Sequence, residues 1–338
     1  VVLLFHANAV LRLPHYLGHD VFALFEGGKS GVDYFFVLSG FVMMLVHDKD
    51  IGQGDRVGVF LWKRFQRIYP PLWVALLLAL PVVVVGSAAA ARQGGLAGGI
   101  ISAFLITPWH GELLLPVEWT LRHEVLFYAM CALVIWRPRP GVVVAGLWVA
   151  LSLVLPFMRL PFPLDFLFSP YHLLFALGVL AAWLYKRQVD VAPMAALIVG
   201  GLLFAGAWGA LSLGIVHDDD GVMGAGLIAA HWIFGLGATL IMYGGVTFEA
   251  RRAIRFPRWA VFLGEASYSI YLVHFLALSL MAKVLVAITH HLPMPDAVIY
   301  AAAACGALVL GIAFHLAVEK PLAGLMRRAG GKFGLAIA

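Results

Sequence analysis

Residues 193–215 read PMAALIVGGLLFAGAWGALSLGI, a run without one charged side chain. About 20 mainly apolar residues carry a helix across the hydrocarbon core of a bilayer. Working outward from this run, comparable segments lie at 1–10 (a partial one), 31–47, 69–91, 118–136, 141–158, 168–186, 223–245, 262–288 and 297–319. The expected fold class is therefore all-α: a polytopic integral membrane helical bundle of about ten transmembrane helices. Composition agrees. Of 338 residues, 62% are hydrophobic and 12% charged, against roughly 25% charged in an average soluble domain. A soluble core of this length has no room for so much apolar surface. Residues 1–338 read as a single membrane-embedded domain, and the start inside an apolar run (Val1 to Phe5) reads as a first helix that lacks its cytoplasmic end. The segment 96–109 is apolar but short and glycine-rich, and reads as re-entrant or interfacial.

The 23 Lys and Arg residues and a net charge of +5 would suit a nucleic-acid binder by number alone. Their positions argue against it. One side of the spans collects Lys49, Arg56, Lys63, Arg64 and Arg67; Arg137 and Arg139; Lys186 and Arg187; Arg251, Arg252, Arg255 and Arg258; and Lys320, Arg327, Arg328 and Lys332. The other side holds Arg12, Lys29, Arg92 and Arg159. The positive-inside rule then places both termini of a multi-pass protein in the cytoplasm. Cys131 and Cys305 sit within apolar runs, without metal-ligand or disulfide spacing, and read as packing residues.

Ionisable groups within a bilayer are candidates for function. His6, near the outer end of the first span, is either a general base or an interfacial histidine bonded to a neighbour. Glu124, in Glu118-Trp119-Thr120-Leu121-Arg122-His123-Glu124, must be protonated, paired or in contact with water. Arg122 and His123 point away from it around the helix, which leaves a structural ion pair with another helix as the rival reading. Arg64 and Arg67 share a helix face at the inner mouth of the third span and suit bidentate phosphate binding; setting topology is the alternative. In the stretch Gly31 to Phe41, the small pair Ser39-Gly40 reads as a site of close helix packing. Tyr268, Tyr271 and His274 make a polar stripe that lines a cavity or, favoured slightly, a helix interface. His231 and His315 stand alone and read as packing. The loop His217-Asp218-Asp219-Asp220 and the pair His290-His291 read as solvated.

These segments together resemble the acyltransferase 3 family of polytopic bacterial membrane acyltransferases. The resemblance rests on motifs in family order over essentially the whole chain. His6 falls late in the first span. Gly-Val-Asp-x-Phe-Phe-Val-Leu-Ser-Gly-Phe opens the second (Gly31 to Phe41). Arg-x-x-Arg-x-x-Pro follows (Arg64, Arg67, Pro70), then Trp-Thr-Leu-x-x-Glu (Trp119 to Glu124). Ser267 to His274 reads Ser-Tyr-Ser-Ile-Tyr-Leu-Val-His, and Glu319-Lys320-Pro321 closes the series. The resemblance implies a cytoplasmic acyl-CoA donor, often acetyl-CoA, and no metal. It implies as acceptor a hydroxyl on a glycan, glycolipid, lipid-linked sugar or glycosylated small molecule, with membrane lipid around the protein. Carried over, His6 and Glu124 are the catalytic residues, and Arg64 and Arg67 bind the donor.

In the mechanism expected from this, His6 removes the acceptor's hydroxyl proton, and Glu124 orients it or raises its basicity. A different order of events acylates His6 first. The rival function is a glycolipid or polysaccharide transporter without chemistry, which would have no need of coenzyme A.

Overall fold

The structure is a computed structural model that describes residues 1–86, 96–109, 111, 113–189, 191–216, 224–252, 256–289 and 291–332. The loop His217-Asp218-Asp219-Asp220 and His290 fall outside these residues. Every regular element among the described residues is helical. In chain order they are α1 (Val2–Leu11), α2 (Gly31–His47), α3 (Arg56–Gly86), α4 (Leu96–Leu105), α5 (Glu118–Trp136), α6 (Pro138–Val154) and α7 (Leu164–Leu167). Then follow α8 (His172–Lys186), α9 (Pro193–Ser212), α10 (Ala225–Arg252), α11 (Arg258–Thr289), α12 (Asp296–Phe314) and α13 (Lys320–Lys332). A 3-10 stretch, Ala23–Ser30, leads into α2, and a π-helical turn, His315–Glu319, joins α12 to α13.

Seven helical stretches among the described residues are long and apolar enough to cross a membrane: Ala23–Asp50, Pro138–Phe157, Leu164–Lys186, Pro193–Ser212, Ala225–Arg252, Arg258–Thr289 and Asp296–Gly330. The other three expected spans fall on α1, α3 and α5. α1 has only 10 residues. The apolar half of α3 runs to the edge of the described stretch. α5 carries Glu118, Arg122 and Glu124, which lower its hydropathy. The segment expected to be re-entrant contains α4, a helix of 10 residues. Its last carbonyls are met by α3: the Tyr69 hydroxyl donates to Leu105 O at 3.2 Å and Trp73 Nε1 to Phe104 O at 2.9 Å. These bonds satisfy groups that a helix end leaves without partners.

The burial pattern inverts that of a soluble protein. Leu202 is 69% exposed and Val309 63%, whereas Asn8, Thr120, Ser152 and His172 are 0% exposed. Apolar side chains facing lipid lose nothing, while polar groups must find partners inside. Cys131 is half-buried, but Cys305 is exposed rather than packed. In a chain solvated by lipid, an apolar run does not tell the two apart.

The chain forms two compact units. The first comprises Val1–Ala23, Gly58–Arg122 and Pro257–Ala338. In it α1 packs against α11 and α12. The α1 end is fastened by its own following loop: the buried Asn8 side chain accepts from Val21 N and Phe22 N at 2.9 and 3.1 Å and donates to Asp20 at 3.0 Å. The second unit comprises Leu24–Val57 and His123–Phe256. There α2 and α8 approach at Gly40 and Gly178, where an added methyl group would run into the carbonyl oxygens of Phe175 and Val37. The close packing expected at Ser39-Gly40 is thus present. α9 and α10 approach in the same manner at Gly200 and Gly237.

Candidate functional site

In the first unit, His6 on α1 meets His274 on α11. Their rings lie 4.9 Å apart between centroids, and His6 Nδ1 is 2.8 Å from His274 Nε2. His274 is buried, and its Nδ1 faces the Tyr271 carbonyl. A carbonyl only accepts, so His274 carries its proton on Nδ1. In the neutral ring Nε2 is then an acceptor, and His6 must donate to it from Nδ1. This leaves His6 Nε2 as the unprotonated, basic nitrogen. The backbone of α11 thus determines which nitrogen of an imidazole on another helix has the lone pair.

The same α11 turn is tied to α5. The Thr120 hydroxyl donates to Val117 O at 2.9 Å, so at 2.9 Å from Tyr271 Oη it accepts the phenol's proton. Tyr271 therefore anchors the network with its side chain and orients His274 with its carbonyl. Phe275 packs edge-on against His6 at 5.4 Å. The stripe expected to favour a helix interface is that interface, and it also holds His6. His274 was identifiable from its i, i+3 relation to Tyr271, but its partner on α1 was not.

The α5 start has its own buried pair. Arg122 reaches back to Glu118 at 3.2 Å, one helical turn away, and to Ser102 Oγ at 3.3 Å and Trp109 O at 3.4 Å. Glu118 also accepts Leu115 N at 2.7 Å. Arg64 and Arg67 lie on one turn of α3. Arg64 is half-buried over the Phe60 ring at 5.6 Å, and Arg67 is exposed. Pro70 and Pro71, next along α3, lack the N–H groups that would serve the Gln66 and Arg67 carbonyls. The turn is braced by neighbours: Gln66 Nε2 donates to Met326 O at 3.0 Å and Tyr268 Oη to Ile68 O at 2.8 Å.

Glu124 belongs to the second unit, where it is 4% exposed. The Tyr128 hydroxyl, one turn on, and the Ser39 hydroxyl of α2, at 3.4 Å, donate to its Oε1. Each of these two donors is a hydroxyl. His123 turns instead to His172, 3.1 Å away, and Ser152 lies 3.3 Å from the other nitrogen of His172.

Two histidines assigned to packing have acidic partners. His231 Nδ1 is 2.8 Å from Asp33 Oδ1, and its Nε2 is 3.3 Å from Tyr171 Oη. His315 Nδ1 is 2.6 Å from Glu319 Oε2. The second pair was legible at i, i+4. The first joins residues 198 positions apart, with no local signal.

Fold and clusters define an all-helical, multi-pass membrane protein that keeps imidazoles and carboxylates buried against one another. Residues 1–316 match the acyltransferase-domain model of the acyltransferase 3 family, and the chain belongs to that family of acyltransferases. A curated relative, the exopolysaccharide production protein ExoZ of Rhizobium meliloti (strain 1021), is 34% identical over 311 residues, covering 88% of this chain and 90% of the relative. No solved structure matches the chain.

Proposed function

We propose that the protein moves an acyl group, acetyl foremost, from a cytoplasmic coenzyme A thioester to a hydroxyl of a polysaccharide or its lipid-linked precursor. It works in the cell's inner membrane with both termini in the cytoplasm. Family membership supports acyl transfer, and a relative named for exopolysaccharide production points to the acceptor class. Arg64 and Arg67 are the proposed grip on the donor's phosphates, because coenzyme A is too charged to enter hydrocarbon.

The observation that carries the mechanism is the His6–His274 hydrogen bond, 2.8 Å long. In this reading the acceptor hydroxyl attacks the thioester carbonyl carbon while its proton passes to His6 Nε2. As the ester C–O bond forms the C–S bond breaks, and His6 hands the proton to the departing thiolate. Glu124 is the second proposed acid–base residue, its carboxyl group held in place by the Ser39 and Tyr128 hydroxyls.

The test is transfer from acetyl-CoA in reconstituted vesicles. His6→Ala is expected to lower kcat by roughly 10²–10⁴-fold, the usual worth of a general base. Glu124→Gln, which keeps an acceptor oxygen but not the charge, is expected to lower it by about tenfold or more. Near-wild-type turnover in His6→Ala removes the histidine from the chemistry.

A further inference from the structure

The π-helical turn His315–Glu319 holds an acid–imidazole pair that the proposed chemistry does not use. Single π turns inside α-helices concentrate at functional sites. Here the turn lets Glu319 Oε2 accept both from His315 Nδ1 at 2.6 Å and from Ser269 Oγ on α11 at 2.5 Å. Two donors on one carboxylate oxygen mark Glu319 as an acceptor, so His315 carries its proton on Nδ1. Its Nε2 then presents a lone pair. The His315 side chain is 5% exposed, and Nε2 is buried without a hydrogen-bond partner. A buried acceptor left empty is costly, so such an atom in a native site calls for a donor, from a water or from a ligand. Phe262 packs edge-on against the ring at 6.0 Å, and Lys320 Nζ lies 5.6 Å from the Phe262 centroid. One polar atom beside an aromatic wall suits a largely aliphatic chain with an occasional N–H or O–H.

The position within the first unit narrows the choice. Tyr268, next to Ser269, donates to Ile68 O, one residue beyond Arg67. His274 lies five residues further along α11 than Ser269, about 7–8 Å at 1.5 Å per residue. Measured along the α11 axis, Ser269, and with it Glu319 and His315, therefore falls at a level between the arginine turn and the His6–His274 pair. We infer that His315 forms a subsite for the pantetheine arm of a coenzyme A thioester, its Nε2 accepting a hydrogen bond from an amide N–H or the hydroxyl of the arm. The inference rests on the proposed donor. The pair has no acid–base task in this role: Glu319 is a positioning residue that fixes the imidazole tautomer.

Equilibrium binding to the full chain in lipid nanodiscs tests this with two probes: coenzyme A, and adenosine 3′,5′-bisphosphate, which has the nucleotide head but no arm. His315→Ala is expected to weaken coenzyme A about tenfold, the worth of one hydrogen bond to a buried acceptor, and to leave the bisphosphate unchanged. His315→Phe fills the same space without Nε2 and carries the same expectation if the alanine variant does not fold. His315→Gln, with an amide oxygen near the place of Nε2, is expected to restore most of the affinity. Arg64→Ala is expected to weaken both probes. Unchanged coenzyme A affinity in the His315 variants overturns the subsite, as does an equal loss for both probes, which marks a structural role. Wild-type protein that binds neither probe sinks the donor reading itself, and the subsite with it.

Discussion

At the residue scale, the basic nitrogen of His6 is selected two hydrogen bonds away, by the Tyr271 carbonyl acting through His274. A neutral imidazole interconverts tautomers freely unless one nitrogen is claimed. His274→Ala leaves His6 Nδ1 without its acceptor, and kcat is expected to fall by about 10–100-fold, part of the full general-base effect. The KM for acetyl-CoA is expected to stay within about threefold, since orientation of the base acts on the transition state. His274→Gln presents an amide oxygen to His6 and is expected to recover activity. A loss that glutamine does not repair, accompanied by a lower melting temperature, would mean that His274 only packs. The residue scale is also where reading along the chain went furthest astray. His231 looked solitary because hydropathy describes a neighbourhood in sequence and its acidic partner comes from another helix, whereas the partner of His315 stands only one turn further on, within an i, i+4 reading.

At the scale of elements, glycine governs how near the helices come. Gly178 on α8 and Gly40 on α2 face each other's carbonyl backbones, so no side chain fits at either position. Without a hydrophobic force between helices in lipid, close backbone contact is a main source of association. Gly178→Val is expected to destabilise the protein by about 1–3 kcal/mol, as overpacking usually does. Gly201→Ala on α9 meets open space and is expected to change little. Thermal unfolding of both variants in detergent checks the contrast; equal melting temperatures would contradict the packing account. The Ser39-Gly40 pair was recognisable in advance as a close-approach motif. Which helix approached was not, because small residues announce proximity without naming the neighbour.

At the scale of the whole molecule, the asymmetry of Lys and Arg predicts orientation. A cysteine at Gln188, beside Lys186 and Arg187, is expected to react with an impermeant maleimide only after permeabilisation. One at Pro161, near Arg159, is expected to react in intact cells. The reverse pattern, in a background without Cys131 and Cys305, would invert the proposed topology. The membrane class, the helical fold and the family were all legible in the chain, because hydropathy and motif order are properties of consecutive residues. His6 and the arginine turn were legible as candidates by residue type and depth. The pairing of His6 with His274, 268 positions away, was decided only when α1 packed against α11. A hydrogen bond is made within about 3 Å, and at that distance sequence separation counts for nothing.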